Sequence, residues 1–170
     1  RKINKRSFLF LILFSTSLIN LKILEKVNIE DIRVYGSELF SPNDVVRNSS
    51  LEFPIRLISI KTNFFEEELK QNLSLKNVSV NRQILPFGLK VYLKTRTPIA
   101  YAERIINEEK ISGFIDKDGI FIDKKNAVNT NLNKLNIKVF GWKEKFKEII
   151  SKILIAQENN DYEIVKITFS

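Results

Sequence analysis

The distribution of apolar residues predicts an α+β chain: an N-terminal transmembrane helix, a β-α-α-β-β domain, then a mixed β-rich second domain containing one amphipathic helix. Three patterns carry this expectation. An apolar run occupies residues 8–24 behind a basic cluster. A period of two runs along both arms of residues 76–94, hinged on Pro86-Phe87-Gly88, as in an antiparallel hairpin with one buried face. Near the end, Phe146, Ile149, Ile150, Ile153 and Leu154 recur at i, i+3, i+4, i+7 and i+8, the spacing of one helix face.

The apolar run "FLFLILFSTSLINLKIL" is interrupted by Ser15-Thr16-Ser17, Asn20 and Lys22. Seventeen helical residues reach roughly 25 Å, slightly less than a hydrocarbon core of ~30 Å. Lys22 lies near one end and can snorkel. Residues 1–7 carry Arg1, Lys2, Lys5 and Arg6, and no acid appears before Glu25. A cleaved signal peptide shares that flank, but no small-x-small site follows the core. A buried helix would need a polar side, which Phe8 to Phe14 do not leave. The expectation is therefore a signal anchor over 8–24, with residues 1–7 cytoplasmic by the positive-inside rule and the bulk of the chain outside the cytoplasm. The chain opens on Arg, not Met, and stops in mid-alternation at Phe169-Ser170, so both ends are expected to be trimmed.

Beyond the anchor, "VNIEDIRVYG" (27–36) reads as a strand ending at Gly36. Ser41 is the expected N-cap of a short helix, with Pro42 at its first position and Asp44 in its first turn. "FPIRLISI" (53–60) reads as extended. Asn63 and Glu66 have capping-box spacing ahead of Phe65, Leu69 and Leu73, which share one helical face. Val78, Val80 and Ile84 then alternate with Asn77, Ser79, Asn81 and Gln83, and Leu89, Val91 and Leu93 with Lys90, Tyr92 and Lys94.

Residues 98–105 read as a strand, and "GFIDKDGIFID" as two short strands joined at Asp118-Gly119. The polar stretch 124–134 reads as a loop, "LNIKVFGW" as a strand, and "KEKFKEIISKILIAQ" as the amphipathic helix. "YEIVKITFS" starts a last strand.

The chain has no Cys and no His. That excludes disulfides, Cys/His zinc sites, thiol nucleophiles and histidine bases; carboxylate or Ser/Lys chemistry stays open. Net charge is +8, but residues 7–170 hold 24 basic and 20 acidic side chains, a poor basis for a general polyanion surface. Asp116, Asp118 and Asp123 lack the offsets and the terminal Glu of a calcium loop. Glu66-Glu67-Glu68 suit a helix N-terminus better than a catalytic pair. The sequons at Asn48, Asn72 and Asn77 are expected by chance in a chain rich in Asn. A β-α-α-β-β order also opens the KH fold, but "NSSLEFPIRLISIKTN" has no glycine for a GXXG nucleotide clamp.

The motifs in this order resemble a POTRA domain, and more narrowly the FtsQ/DivIB family of bacterial division proteins. They are Ile32-x-Val34-x-Gly36, Leu69 with Leu73, Val78-x-Val80-x-Arg82, Leu85-Pro86, Leu89-x-Val91, Pro98-Ile99-Ala100 and Ile115-Asp116-x-Asp118-Gly119 with Phe121. Two departures stand out. Thr95 precedes Arg96 where family members often carry an acid, and the strands that pair with an FtsB partner in the family would lie beyond Ser170. The resemblance implies a POTRA-like domain over 27–97 and a β-rich second domain over 98–170. It also implies a non-enzymatic, single-pass inner-membrane scaffold at the septum, with no cofactor, metal or small-molecule substrate and no nucleic acid. FtsB/FtsL-type and other division proteins would be its partners, and the lipid bilayer would hold residues 8–24. The partner-binding residues it points to are Ser79, Asn81, Arg82 and Gln83. The alternative is a POTRA component of outer-membrane protein assembly or secretion; a different class is an anchored envelope enzyme using carboxylates.

Overall fold

The computed structural model describes residues 5–128, 132, 135–158 and 163–169. The chain forms two compact units, the first from residues 1–69 and 78–93, the second from residues 70–77 and 94–170.

Helix α1 (Lys5–Leu24) forms over the apolar run. Its described side chains, Lys5 and residues 8–17, are all exposed. The hydroxyls of Ser15 and Thr16 donate to the carbonyls of Ile12 and Leu13, each at 2.9 Å, so these polar groups are satisfied inside the helix. No helix among the described residues is long and apolar enough to cross a membrane. The expected helix is present; its membrane span goes beyond what the fold establishes.

In the first unit, β1 (Lys26–Val27) pairs antiparallel with β3 (Ile55–Arg56). The single strand expected over 27–36 is broken. Asp31 Oδ2 accepts from the Asn28 amide at 2.8 Å, closing a 3-10 turn over Ile29–Asp31 before β2 (Ile32–Tyr35) begins. Helix α2 (Pro42–Arg47) starts as its sequence predicts, in a full capping box between Ser41 and Asp44. The extended reading of 53–60 holds only for β3. Leu57 and Ile60 are both buried while Ile58 is exposed, and burying residues three apart requires the 3-10 turn seen at Leu57–Ser59.

Helix α3 (Thr62–Asn72) buries Phe65 and Leu69, and Leu73 just past its end is buried too. The Asn63–Glu66 capping box does not form: the helix starts at Thr62, placing Asn63 within its first turn, and Lys61 takes the first helical amide, that of Phe65, at 3.1 Å. Strands β4 (Asn77–Gln83) and β5 (Gly88–Lys94) make the hairpin, and the sheet runs β2-β5-β4 with β2 parallel to β5. Gly88 has φ +133°, and a Cβ there would run into the Asp31 backbone, so glycine is required where the hairpin enters its central strand. The element order β2-α2-α3-β4-β5 is the predicted one. Ile32, Val80, Leu89 and Val91 from the strands join Val45, Phe65 and Leu69 in the buried set.

The second unit holds a five-stranded mixed sheet, ordered β10-β9-β6-β7-β8. Its strands are β6 (Ala100–Ile106), β7 (Glu109–Ile115), β8 (Phe121–Asp123), β9 (Lys138–Phe140) and β10 (Lys166–Thr168). A β6–β7 hairpin turns on Asn107 and Glu108, both at positive φ (50° and 67°); this is the two-residue loop that fits strand twist. Sequence reading missed it. Helix α4 (Lys147–Glu158) buries Ile150 and Leu154 against Ala100, Ala102, Ile115, Phe121, Val139 and Trp142. Ile149, assigned to the same face, is 50% exposed. Of the expected loop 124–134, Lys124–Asn126 forms a 3-10 turn, and residues 129–131 and 133–134 lie outside the described residues.

Candidate partner-binding surface

Alternation fixes which side chains each strand of the β2-β5-β4 sheet presents. Val78 and Val80 on β4 are buried, as are Leu89, Val91 and Leu93 on β5. The opposite parity faces outward. Of the expected partner-binding residues, Asn81 and Arg82 are exposed, and Ser79 and Gln83 are half-buried. By parity Arg82 would share the inward face, yet it is exposed near the end of β4. The Gln83 Oε1 is out of reach of water and has no hydrogen-bond partner. The hairpin tip presents Leu85, 84% exposed.

β4 is an edge strand of its sheet. Its Val80 amide donates to Glu66 Oε1 at 2.6 Å, so a side chain from α3 occupies the open edge at that point. The carboxylate that the sequence suggested for a helix cap instead satisfies a strand.

Residues that sequence reading left out complete the face. Register places Arg33 beside Lys90 and Tyr35 beside Tyr92. The two tyrosine rings stack at 5.2 Å with an interplanar angle of 22°, although Tyr35 is 40% and Tyr92 44% exposed. One Arg33 guanidinium nitrogen, Nη1, is buried and unpartnered. The three strands contain Arg33, Arg82, Lys90 and Lys94 and no acidic residue. The signal available beforehand was the outward position of Tyr92 and Lys90; their pairing with β2 depends on a long-range register.

In the second unit the Asp116–Gly119 turn is a structural device. Asp116 Oδ1 accepts the amides of Asp118 (3.0 Å) and Ile120 (2.9 Å), while Oδ2 takes Arg96 Nη1 at 2.5 Å. Gly119 has φ +76°, and its carbonyl accepts the Trp142 indole N–H at 2.9 Å. The Asp116 carboxylate is thus committed to the turn, and no cluster of three metal-ligating side chains occurs among the described residues. An open groove of about 440 Å³ lies over β6, lined by Tyr101, Glu103, Ser112, Lys138 and Phe140 among others. Glu103 is its one carboxylate, where a carboxylate pair of the glycosidase kind needs two.

Residues 27–96 match the family model of the POTRA domain, FtsQ-type. A cell division protein DivIB from Clostridium acetobutylicum is 30% identical over 110 residues, covering 64% of this chain and 42% of that protein. The chain is thus similar to cell division proteins of the FtsQ/DivIB type, with the FtsQ-type match lying over its POTRA unit. It spans less than half the length of that relative. The FtsQ-type match takes in the whole β2-α2-α3-β4-β5 order, so the outward sheet face and the Glu66-guarded edge both lie within the POTRA unit.

Proposed function

We propose that this chain is a non-enzymatic division scaffold, anchored in the plasma membrane by α1, whose extracytoplasmic units hold other division proteins at the septum. FtsB/FtsL-type proteins are the partners this reading names, and the chain links early with late division components. The observation that carries it is the FtsQ-type POTRA unit, with an exposed outward face and an edge strand, where binding needs only shape and backbone. The FtsQ type of the match weighs against service in outer-membrane protein assembly. For the anchor, the support is a 20-residue helix, ~30 Å long, whose residues Phe8 to Phe14 are all exposed. The Ser15 and Thr16 hydroxyls bond back to helix carbonyls, so these two groups need no water in a hydrocarbon core. The basic flank of residues 1–7 sets the N-terminus inside. We assign 27–97 to the POTRA domain and 98–170 to the second domain.

Ser79, Asn81, Arg82 and Gln83 are the proposed contact residues. Photo-crosslinkers at Asn81 and Arg82 of the full-length protein in dividing cells should capture division proteins, and Arg82→Glu should lose them at an unchanged melting temperature. A reporter active only outside the cytoplasm, fused after Ser170, should be active. Normal crosslinking and localisation of Arg82→Glu would remove Arg82 from the surface. Recovery of the reporter in the soluble fraction would overturn the anchor.

A further inference from the structure

We propose that the outward face of the β2-β5-β4 sheet docks an extended acidic segment of a partner protein, laid across the Tyr35–Tyr92 stack with its carboxylates on Arg33 and Lys90. The proposal rests on the reading of this unit as a partner-binding module and names the chemistry of the partner.

Charge composition gives the sign. Two cations, Arg33 and Lys90, stand side by side by register on this face, and the strands that build it contribute no acid to neutralise them. Exposed ion pairs form readily on protein surfaces; here neither Arg33 nor Lys90 has an ion pair among the described contacts. Arg33 carries in addition a guanidinium nitrogen that donates to nothing and that water does not reach. A buried donor without an acceptor costs about 1–3 kcal/mol, and turning the guanidinium toward an incoming carboxylate supplies the missing acceptor in a charge-assisted, two-pronged geometry.

The aromatic pair gives the shape. Tyr35 and Tyr92 are each two residues along their strands from Arg33 and Lys90, roughly 7 Å away. An extended peptide repeats its same-side residues at the same interval. A segment with an acidic side chain at one position and an aromatic or apolar one two residues on therefore meets cation and ring in step. Stacked tyrosines are rigid and amphipathic, and such rings are enriched among the residues that dominate interface energies.

Other occupants fit less well. A second copy would bring the same cations against themselves. Anionic lipid headgroups call for clusters of four to eight basic residues, whereas of the four on these strands only Arg33 and Lys90 adjoin by register.

The test uses the full chain in detergent micelles and a fluorescein-labelled decapeptide in the repeat Glu-Ser-Tyr-Ser (the Glu-Tyr peptide), with Lys-Ser-Tyr-Ser (Lys-Tyr) and Ser-Ser-Tyr-Ser (Ser-Tyr) decapeptides alongside, read by fluorescence anisotropy. The Glu-Tyr peptide should bind, weakening as salt rises, and the Lys-Tyr peptide should not. Lys90→Glu combined with Tyr92→Ala should reduce that binding at least tenfold at an unchanged melting temperature, whereas Lys143→Glu in the second unit should leave it as it was. Equal binding of the Ser-Tyr peptide, no binding of the Glu-Tyr peptide, or indifference to the double substitution would overturn the proposal. Displacement of the bound Glu-Tyr peptide by phosphatidylglycerol added to the micelles, but not by phosphatidylcholine, would assign the face to lipid and overturn the proposal as well. A protein that reaches the septum normally but ignores the acidic peptide contradicts this chemistry alone; one that never reaches the septum contradicts the scaffold reading beneath it.

Discussion

Replacing Asp116 by Ala should be among the most damaging single changes in the second unit. The side chain of Asp116 is 5% exposed and that of Arg96 is 11% exposed. The carboxylate accepts two turn amides, from Asp118 and Ile120, as well as Arg96 Nη1. Removing it orphans both amides and strands a guanidinium whose Nε already lacks a partner. Breaking a buried ion pair from one side costs about 3–5 kcal/mol, a large share of the 5–15 kcal/mol by which a domain is stable. In a unit of this size each kcal/mol moves the melting temperature by roughly 4–8 °C. Asp116→Asn keeps an acceptor for the turn and should fall between parent and Asp116→Ala. Asp118, half-exposed and 3.5 Å from Arg96, should cost under about 1 kcal/mol when changed to Asn. Trp142 is the only tryptophan in the chain and sits in the core of this unit, so its fluorescence during urea unfolding reports on the right domain. Arg96→Met should restore part of the loss when combined with Asp116→Ala, because it removes the stranded charge. If Asp116→Ala unfolded within about 0.5 kcal/mol of the parent, the ion pair and turn bonds would not be holding this hairpin.

In the first unit, Val80→Asp should cost several kcal/mol by burying an unpaired charge, and Ser79→Asp under about 0.5 kcal/mol; equal effects in thermal melts would mean that the strand register is wrong. Glu66→Ala should destabilise the same unit by about 1–3 kcal/mol, since the Val80 amide loses its acceptor, and amide exchange at Val80 should accelerate; unchanged exchange would remove Glu66 from the edge. The Asp44 carboxylate is held below its ordinary value, first by the Ser41 hydroxyl and then by the Ser41 amide. A depressed carboxylate stabilises the fold above its unfolded value, about 3.9, and that contribution is lost as pH falls through the folded value. Ser41→Ala should therefore raise the Asp44 midpoint in an NMR titration and narrow its stability gap to the parent below about pH 4.

Local chemistry was legible wherever one short stretch decides the structure. Ser41-Pro42-Asn43-Asp44 is a helix start by itself, and it forms one. The β4–β5 alternation depends only on period and turn, and its buried set is the predicted one apart from Ile84, which lies past the end of β4 and is half-buried. What failed depended on tertiary partners. Glu66 has cap spacing, but the open amide of Val80 lies on a strand fourteen residues away and claims it. The 3-10 turns at Ile29–Asp31 and Leu57–Ser59 interrupt stretches whose β-branched content argues for strand; a side-chain cap in one case and the burial of Leu57 with Ile60 in the other decide against propensity. The Asn107-Glu108 hairpin lacks the glycine that usually marks such a turn. On the candidate surface, Ser79 and Asn81 were readable from parity, whereas the Tyr35–Tyr92 stack needed the parallel register between β2 and β5.

The central claim is that this chain works at the division site through its POTRA unit. Its most direct test is a fluorescent fusion of the full-length protein imaged in living cells from which the native copy is depleted. The account predicts a band at midcell before constriction and rescue of septation, with an Arg82→Glu fusion diffuse around the membrane at equal abundance and the cells filamentous. Normal septation without the protein, or a parent fusion that never gathers at midcell, would contradict it.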